Sequence, residues 1–130
     1  MKKLIVPLLI CIATIGTASA DWKGVASTDA ADFFLDKSTV RSSGQYKEAW
    51  VLTDLKAAKK DGFGKDYLSS KSKTRVDCVG DKSLYLALVL YSGNMGSGDV
   101  VFNKSYNDND WQHIIPGSAW AIVTQAICGK

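Results

Sequence analysis

The chain has 130 residues, 46% hydrophobic and 22% charged, with 11 Gly and 2 Pro. That balance excludes collagen-like, low-complexity and disordered chains and sets one compact domain as the ceiling. The formal net charge is +3, and without Lys2 and Lys3 of the leader described next the count is 14 basic against 13 acidic residues. So small an excess lacks the electrostatic footprint of a nucleic-acid-binding protein.

Residues 1–20 read as a secretory signal peptide. Lys2 and Lys3 form a basic start, Leu4 to Ile15 an apolar run, and Ala18-Ser19-Ala20 a small-residue cleavage site. Gly16, Thr17 and Ser19 interrupt the run short of the ~20 apolar residues that a transmembrane helix needs. The expected product begins at Asp21, comprises residues 21–130 as a single domain, and is exported to the periplasm or secreted, with no transmembrane segment. Cys11 follows the bulky Leu8-Leu9-Ile10 instead of a small residue, so the product is not expected to be lipidated.

Along the mature chain, short apolar runs alternate with turn-rich segments. Trp22 to Ala26, Phe33 to Leu35 and Thr39 to Arg41 are short strand candidates, and Tyr46 to Leu55 is a stronger one. From Ser70 to Val79 the alternation is clean. Lys71, Lys73, Arg75 and Asp77 point one way and Thr74, Val76 and Cys78 the other, which turns Cys78 to the core. Residues 83–91 place Leu84, Leu86, Leu88 and Leu90 on one face, with Tyr85, Ala87, Val89 and Tyr91 on the other. Both faces are apolar, as in a central strand. The glycine-rich Gly93 to Gly98 reads as a flexible turn, followed by strand candidates at Val100 to Phe102 and Trp111 to Ile114.

After Pro116-Gly117 the pattern changes. Ser118 is a helix cap, Trp120, Val123, Ile127 and Cys128 share one helical face, and Gly129 suits a left-handed terminus. Alternation from Trp120 to Cys128 also permits a strand. With the helix, the chain is an α+β domain: a single, mainly antiparallel sheet with a C-terminal helix.

Cys78 and Cys128 are the two cysteines left after the leader, and in an oxidising compartment they are expected to pair. The bridge would fasten the helix across the sheet. The 51 residues it encloses correspond to roughly 4 kcal/mol of chain-entropy stabilisation. Two cysteines alone fall short of a zinc site, and their separation is unlike a redox Cys-x-x-Cys pair.

No catalytic constellation emerges. His113 is the sole histidine and has no Gly-x-Ser-x-Gly elbow to serve, while Glu48 is the sole glutamate among twelve aspartates in turn-like or charged settings. Gly93 to Gly98 lacks the Gly-Lys-Ser/Thr ending of a phosphate loop, and Asn107 to Asp110 lacks the Gly and distal Glu of an EF-hand. No catalytic residue, metal site or cofactor is therefore expected.

The remaining polar feature is residues 56–73, where six lysines face two aspartates. Lys56, Lys59, Lys60 and Lys65, interleaved with Phe63 and Tyr67, form the candidate partner-binding group. Such a segment attracts an acidic partner at long range and offers apolar contact area. A solvated hairpin connection, its lysines discouraging edge pairing, is the competing explanation.

A series of ordered landmarks covers nearly all of the mature chain. They are Trp22, Phe33-Phe34-Leu35-Asp36, Ser38-Thr39-Val40, and Trp50-Val51-Leu52 with Asp54, followed by Ser70-Lys71 and Asp77-Cys78. Tyr91-Ser92-Gly93, Met95, Gly98, Val100-Val101, Trp111, Pro116-Gly117-Ser118 and Cys128 complete the series. In their order and with the two cysteines, these landmarks resemble the surface-adhesin protein E family of Gram-negative bacteria, and the resemblance implies one antiparallel sheet with a disulfide-tethered C-terminal helix. It also implies a non-enzymatic exported module that binds host matrix or serum proteins. A periplasmic structural or inhibitor protein of the envelope is the alternative, and a small hydrolase with an acidic site is a third class.

Overall fold

Alternation in the middle of the chain produces three long consecutive strands, which form the centre of one sheet. The computed structural model describes residues 20–130, so the leader up to residue 19, Cys11 included, lies outside the described residues. The strands are β1 (Lys23–Ser27), β2 (Ala31–Leu35), β3 (Arg41–Ser43), β4 (Tyr46–Lys60), β5 (Asp66–Asp77), β6 (Lys82–Tyr91), β7 (Val100–Ser105) and β8 (Gln112–His113). Their order is β1-β2-β4-β5-β6-β7, with β3 beside β4 and β8 beside β6, and every pairing is antiparallel.

The helix α1 (Ala119–Cys128) follows the capping logic of its sequence. Ser118 Oγ accepts from the Ala121 amide at 3.1 Å, and Gly129 adopts φ 76° to close the C-terminus. Val123 and Ile127 pack on Leu35, Ala49, Val51 and Val76, forming the main core. The period of β5 places Thr74 and Val76 in this core, with Lys71, Lys73 and Arg75 on the reverse face. Cys78 and Cys128 are bridged, with Cα atoms 5.8 Å apart, so the end of β5 is tied to the end of α1.

Local departures from the sequence expectation have local causes. Strand β6 does not alternate uniformly: Lys73 pairs with Ala87 but Thr74 with Tyr85, leaving Leu86 as an extra, bulged residue. The bulge puts Leu84 on the face opposite Leu88 and Leu90 and brings Tyr85 round to the helix side. Tyr106 N–H donates to the Leu86 carbonyl at 3.0 Å, satisfying the displaced backbone. The expected strand at Thr39 to Arg41 begins as a 3-10 turn at Lys37–Thr39, because Asp36 accepts from both the amide and the hydroxyl of Ser38. Of Trp111 to Ile114 only Gln112–His113 pairs, since the Trp111 ring packs 5.3 Å from that of Tyr46, with the Lys82 ammonium 5.2 Å from its centroid.

The glycine-rich turn after β6 folds back on the sheet. Asp54 Oδ1 accepts from the Met95 amide at 2.8 Å and from Asn94 Nδ2 at 3.0 Å. The buried Ser69 hydroxyl accepts from the Gly96 amide and donates to the Gly93 carbonyl. Gly96, at φ +72°, lies so near Lys71 that a Cβ there would sit 2.7 Å from its Cε. The turn thus covers Leu52, which is fully buried on the face away from α1.

Two buried carboxylates make the fold acid-sensitive. Ser38's hydroxyl holds the Asp36 carboxyl below its usual value against an opposing effect of burial, helped by the Ser38 and Asp21 amides. The Gly80 amide does the same for Asp77, also against burial and with help from the Val79 amide, Gln45 and the charge of Lys82. Depressed native values mean that the unfolded chain takes up protons first as pH falls. Their stabilisation is therefore complete above the ordinary Asp value of 3.8 and is lost as pH falls through the lower native values. Thermal unfolding followed by circular dichroism should show a decline in midpoint in that acid range, shallower in D77N than in the parent. An equal acid slope in D77N would show that Asp77 does not contribute.

Candidate binding surface

Strands β4 and β5 extend past the helix-covered core into an exposed hairpin. Their regular pairing stops at Asp54↔Ser69 and resumes at Lys59↔Tyr67 and Lys60↔Asp66, so four residues of β4 lie against one of β5. The tip is closed by Asp61, whose Oδ1 accepts from the Phe63 and Lys65 amides at 2.8 Å each, while Gly64 takes φ +79°. What composition marks as a connection is therefore strand up to Lys60 and again from Asp66, with a turn of five residues between.

The hairpin brings the expected group together and divides it by role. Lys56, at the base, donates to the Thr28 carbonyl at 2.8 Å, and Lys60 pairs with Asp66 at 2.9 Å. Both partners of that ion pair are well exposed, so it contributes no more than about 1 kcal/mol. Lys59 and Lys65 form no ion pair among the described residues. Phe63 is 81% exposed, its ring 6.4 Å from that of Phe102 on β7, and the half-buried Tyr67 is the register partner of Lys59. Lys71 and Lys73 of the same charge run stand apart from this group, on the central part of β5.

A feature the alternation rule conceals lies beside α1. Tyr85, Leu88, Tyr106 and Trp120 line a cleft of about 380 Å³, with Asp110, Gln112 and His113 at its polar end. Trp120 stands edge-on to Tyr85 at 5.8 Å and donates from Nε1 to Ser83 Oγ at 2.9 Å. Burial, with a smaller effect of Tyr106, raises the Tyr85 hydroxyl above its ordinary value. Tyr85 and Leu88 share this face only through the bulge at Leu86, and a strict period of two assigns them to opposite faces.

Several of the carboxylates engage in structural bonds. Asp32 and Asp54 are register partners, but Ser27 donates to Asp32, and Asp54 holds the Asn94–Met95 turn. Asp108 lies 3.6 Å from Arg75, and Asp110 accepts from Gln112. His113 is exposed on β8 opposite Lys82. Among the described residues no group of three or more His, Cys, Asp or Glu could hold a metal ion, and no helix is long and apolar enough to cross a membrane.

The fold recurs in solved structures. Two crystal structures of Haemophilus influenzae protein E superpose with TM-scores of 0.54 and 0.55, at 11% and 10% identity, each covering 81% of this chain and 88% and 91% of theirs. Protein E from non-typeable Haemophilus influenzae gives a TM-score of 0.57 at 11% identity, over 88% of this chain and 79% of that one. At these identities the likeness is one of fold. No curated protein matches the sequence. The profile of the family described as Surface-adhesin protein E, however, matches residues 22–129, from the tryptophan before β1 to the glycine that caps α1. The chain belongs to the surface-adhesin protein E family.

Proposed function

We propose that this chain is an exported, non-enzymatic binding module whose β4–β5 hairpin contacts a protein of the extracellular matrix, serum or cell envelope. Cleavage after Ala20 releases it without an acyl chain. The carrying observation is Phe63, 81% exposed at a tip that Asp61 holds closed. A large aromatic ring presented on a preformed turn is the type of residue that anchors protein interfaces, because little conformational entropy is lost when it is buried. Lys59 and Lys65 flank it, form no ion pair among the described residues, and supply long-range attraction. The family match supports the reading, since a surface adhesin is exported and acts by binding.

The test is binding of the exported chain to immobilised matrix and serum proteins and to envelope extract. F63A should weaken association about tenfold or more, the loss of one aromatic anchor. K59Q/K65Q should remove most of the salt dependence while changing stability by no more than about 0.5 kcal/mol per site. Undiminished binding by both variants at low ionic strength would move recognition away from the hairpin.

A further inference from the structure

On the sheet face away from α1, two shallow clefts meet at Thr39 and Trp50. One, of about 260 Å³, is lined by Trp22, Asp36, Lys71, Val89 and Tyr91, and the other, of about 370 Å³, by Arg41, Glu48 and Lys73. Ala20 borders the smaller cleft, so cleavage after it, as proposed above, removes that residue from the lining.

The cations here are placed and largely uncompensated. The Lys71 ammonium lies 5.1 Å from the Tyr91 ring centroid and 5.8 Å from that of Trp22, while Gly96 closes in on its methylenes. Contacts of this kind fix an ammonium without neutralising it. Lys73, register partner of Trp50, has no ion pair among the described residues, and Arg41 donates only to backbone carbonyls. Of the nearby carboxylates, Glu48 is taken by Arg75 at 2.6 Å, and Asp36 is buried against Ser38. Lys71 and Lys73 stand two residues apart on one face of an extended strand, roughly 7 Å along it.

We propose that this face binds an acidic oligosaccharide. Lys71 and Lys73 take its carboxylate or sulfate groups, and a sugar ring lays its C–H face on Trp50. Strands β2, β4, β5 and β6 are paired on both sides, and among the described residues the free edge beside the groove is that of β3, whose three residues are too short a template for an extended peptide to add to. The cations are too few to track a nucleic-acid backbone. The site is separate from the hairpin, and neither depends on the other.

Titration of the exported chain with a heparin-derived hexasaccharide, followed by tryptophan fluorescence and calorimetry, tests this. Saturable binding is expected, weakened about tenfold or more in K71Q/K73Q, which removes both charge-assisted contacts. W50F retains the apolar volume better than Ala and should lower affinity without altering the salt dependence. K59Q/K65Q, on the hairpin, should bind like the parent, which keeps this result distinct from the test of the hairpin. Parent-like affinity in K71Q/K73Q or in W50F would overturn the proposal. So would equal binding of an uncharged hexasaccharide, of poly-glutamate or of an oligothymidylate at matched concentration.

Discussion

Replacing Cys78 and Cys128 together by alanine is expected to lower the unfolding free energy by about 2–5 kcal/mol, the usual effect of losing a native bridge in a small secreted domain. The bridge joins positions 50 residues apart, so its main contribution is the conformational freedom it removes from the unfolded chain. It also acts on the weakest element to stand alone. Helix α1 has 10 residues, below the ~12–15 at which isolated helices become marginally stable in water, so it persists through tertiary contact. Val123 and Ile127 supply that contact by burial, and Lys130 and Lys47 add hydrogen bonds to the Cys78 and Cys128 carbonyls. The sheet core remains in the variant, so urea unfolding should stay cooperative with a lower midpoint. Hydrogen exchange should rise first in α1. Alkylation of the native exported protein without reduction should find no free thiol at Cys78 or Cys128. Modification of both there would show that the bridge is not kept in the exported protein.

The elements most legible in the sequence are those whose pattern is local. The caps of α1 are single residues, Ser118 and Gly129, and they end the helix where a left-handed glycine and a serine acceptor require. The inward phase of Cys78 follows from the uninterrupted alternation of β5. Strand β6 is less legible because its bulge at Leu86 answers to its neighbours, β5 and Tyr106, and not to its own composition. The last residues of β4 are equally hidden. Lys56 to Lys60 have neither alternation nor β-branched side chains, and they are extended because β5 returns beside them. Net charge makes the hairpin visible as a basic segment, but its division into engaged Lys56 and Lys60 and, among the described residues, unpaired Lys59 and Lys65 depends on Thr28 and Asp66. The groove around Lys71 is further out of reach. It assembles Trp22, Trp50, Lys71 and Tyr91 from four separate parts of the chain, which meet only when the sheet forms.

Leu52→Ala is expected to cost about 2–5 kcal/mol, within the range for emptying a buried leucine site, although Leu52 lies outside the core beneath α1. Its neighbour Val51 faces the helix, while Leu52 points to the reverse face between Phe34 and Lys71. Burial there comes from the turn after β6, where Gly96 approaches the Leu52 side chain. The turn is itself strained, because Met95 holds φ 55°, a left-handed conformation unusual for a non-glycine residue. The hydrogen bonds from Asn94 and Met95 to Asp54 and from Gly96 to Ser69 oppose that strain, and Leu52 supplies the apolar floor beneath. Removing the floor should therefore loosen the turn before the sheet. In L52A the Met95 and Gly96 amides should exchange through local opening well below the global unfolding energy, while in V51A they should follow the global value. Lys71, packed under Gly96, loses one wall in L52A, so affinity for the acidic hexasaccharide should fall in that variant more than in V51A. Parent-like local protection of Met95 and Gly96 in L52A would mean that Asp54 and Ser69 alone hold the turn on the sheet.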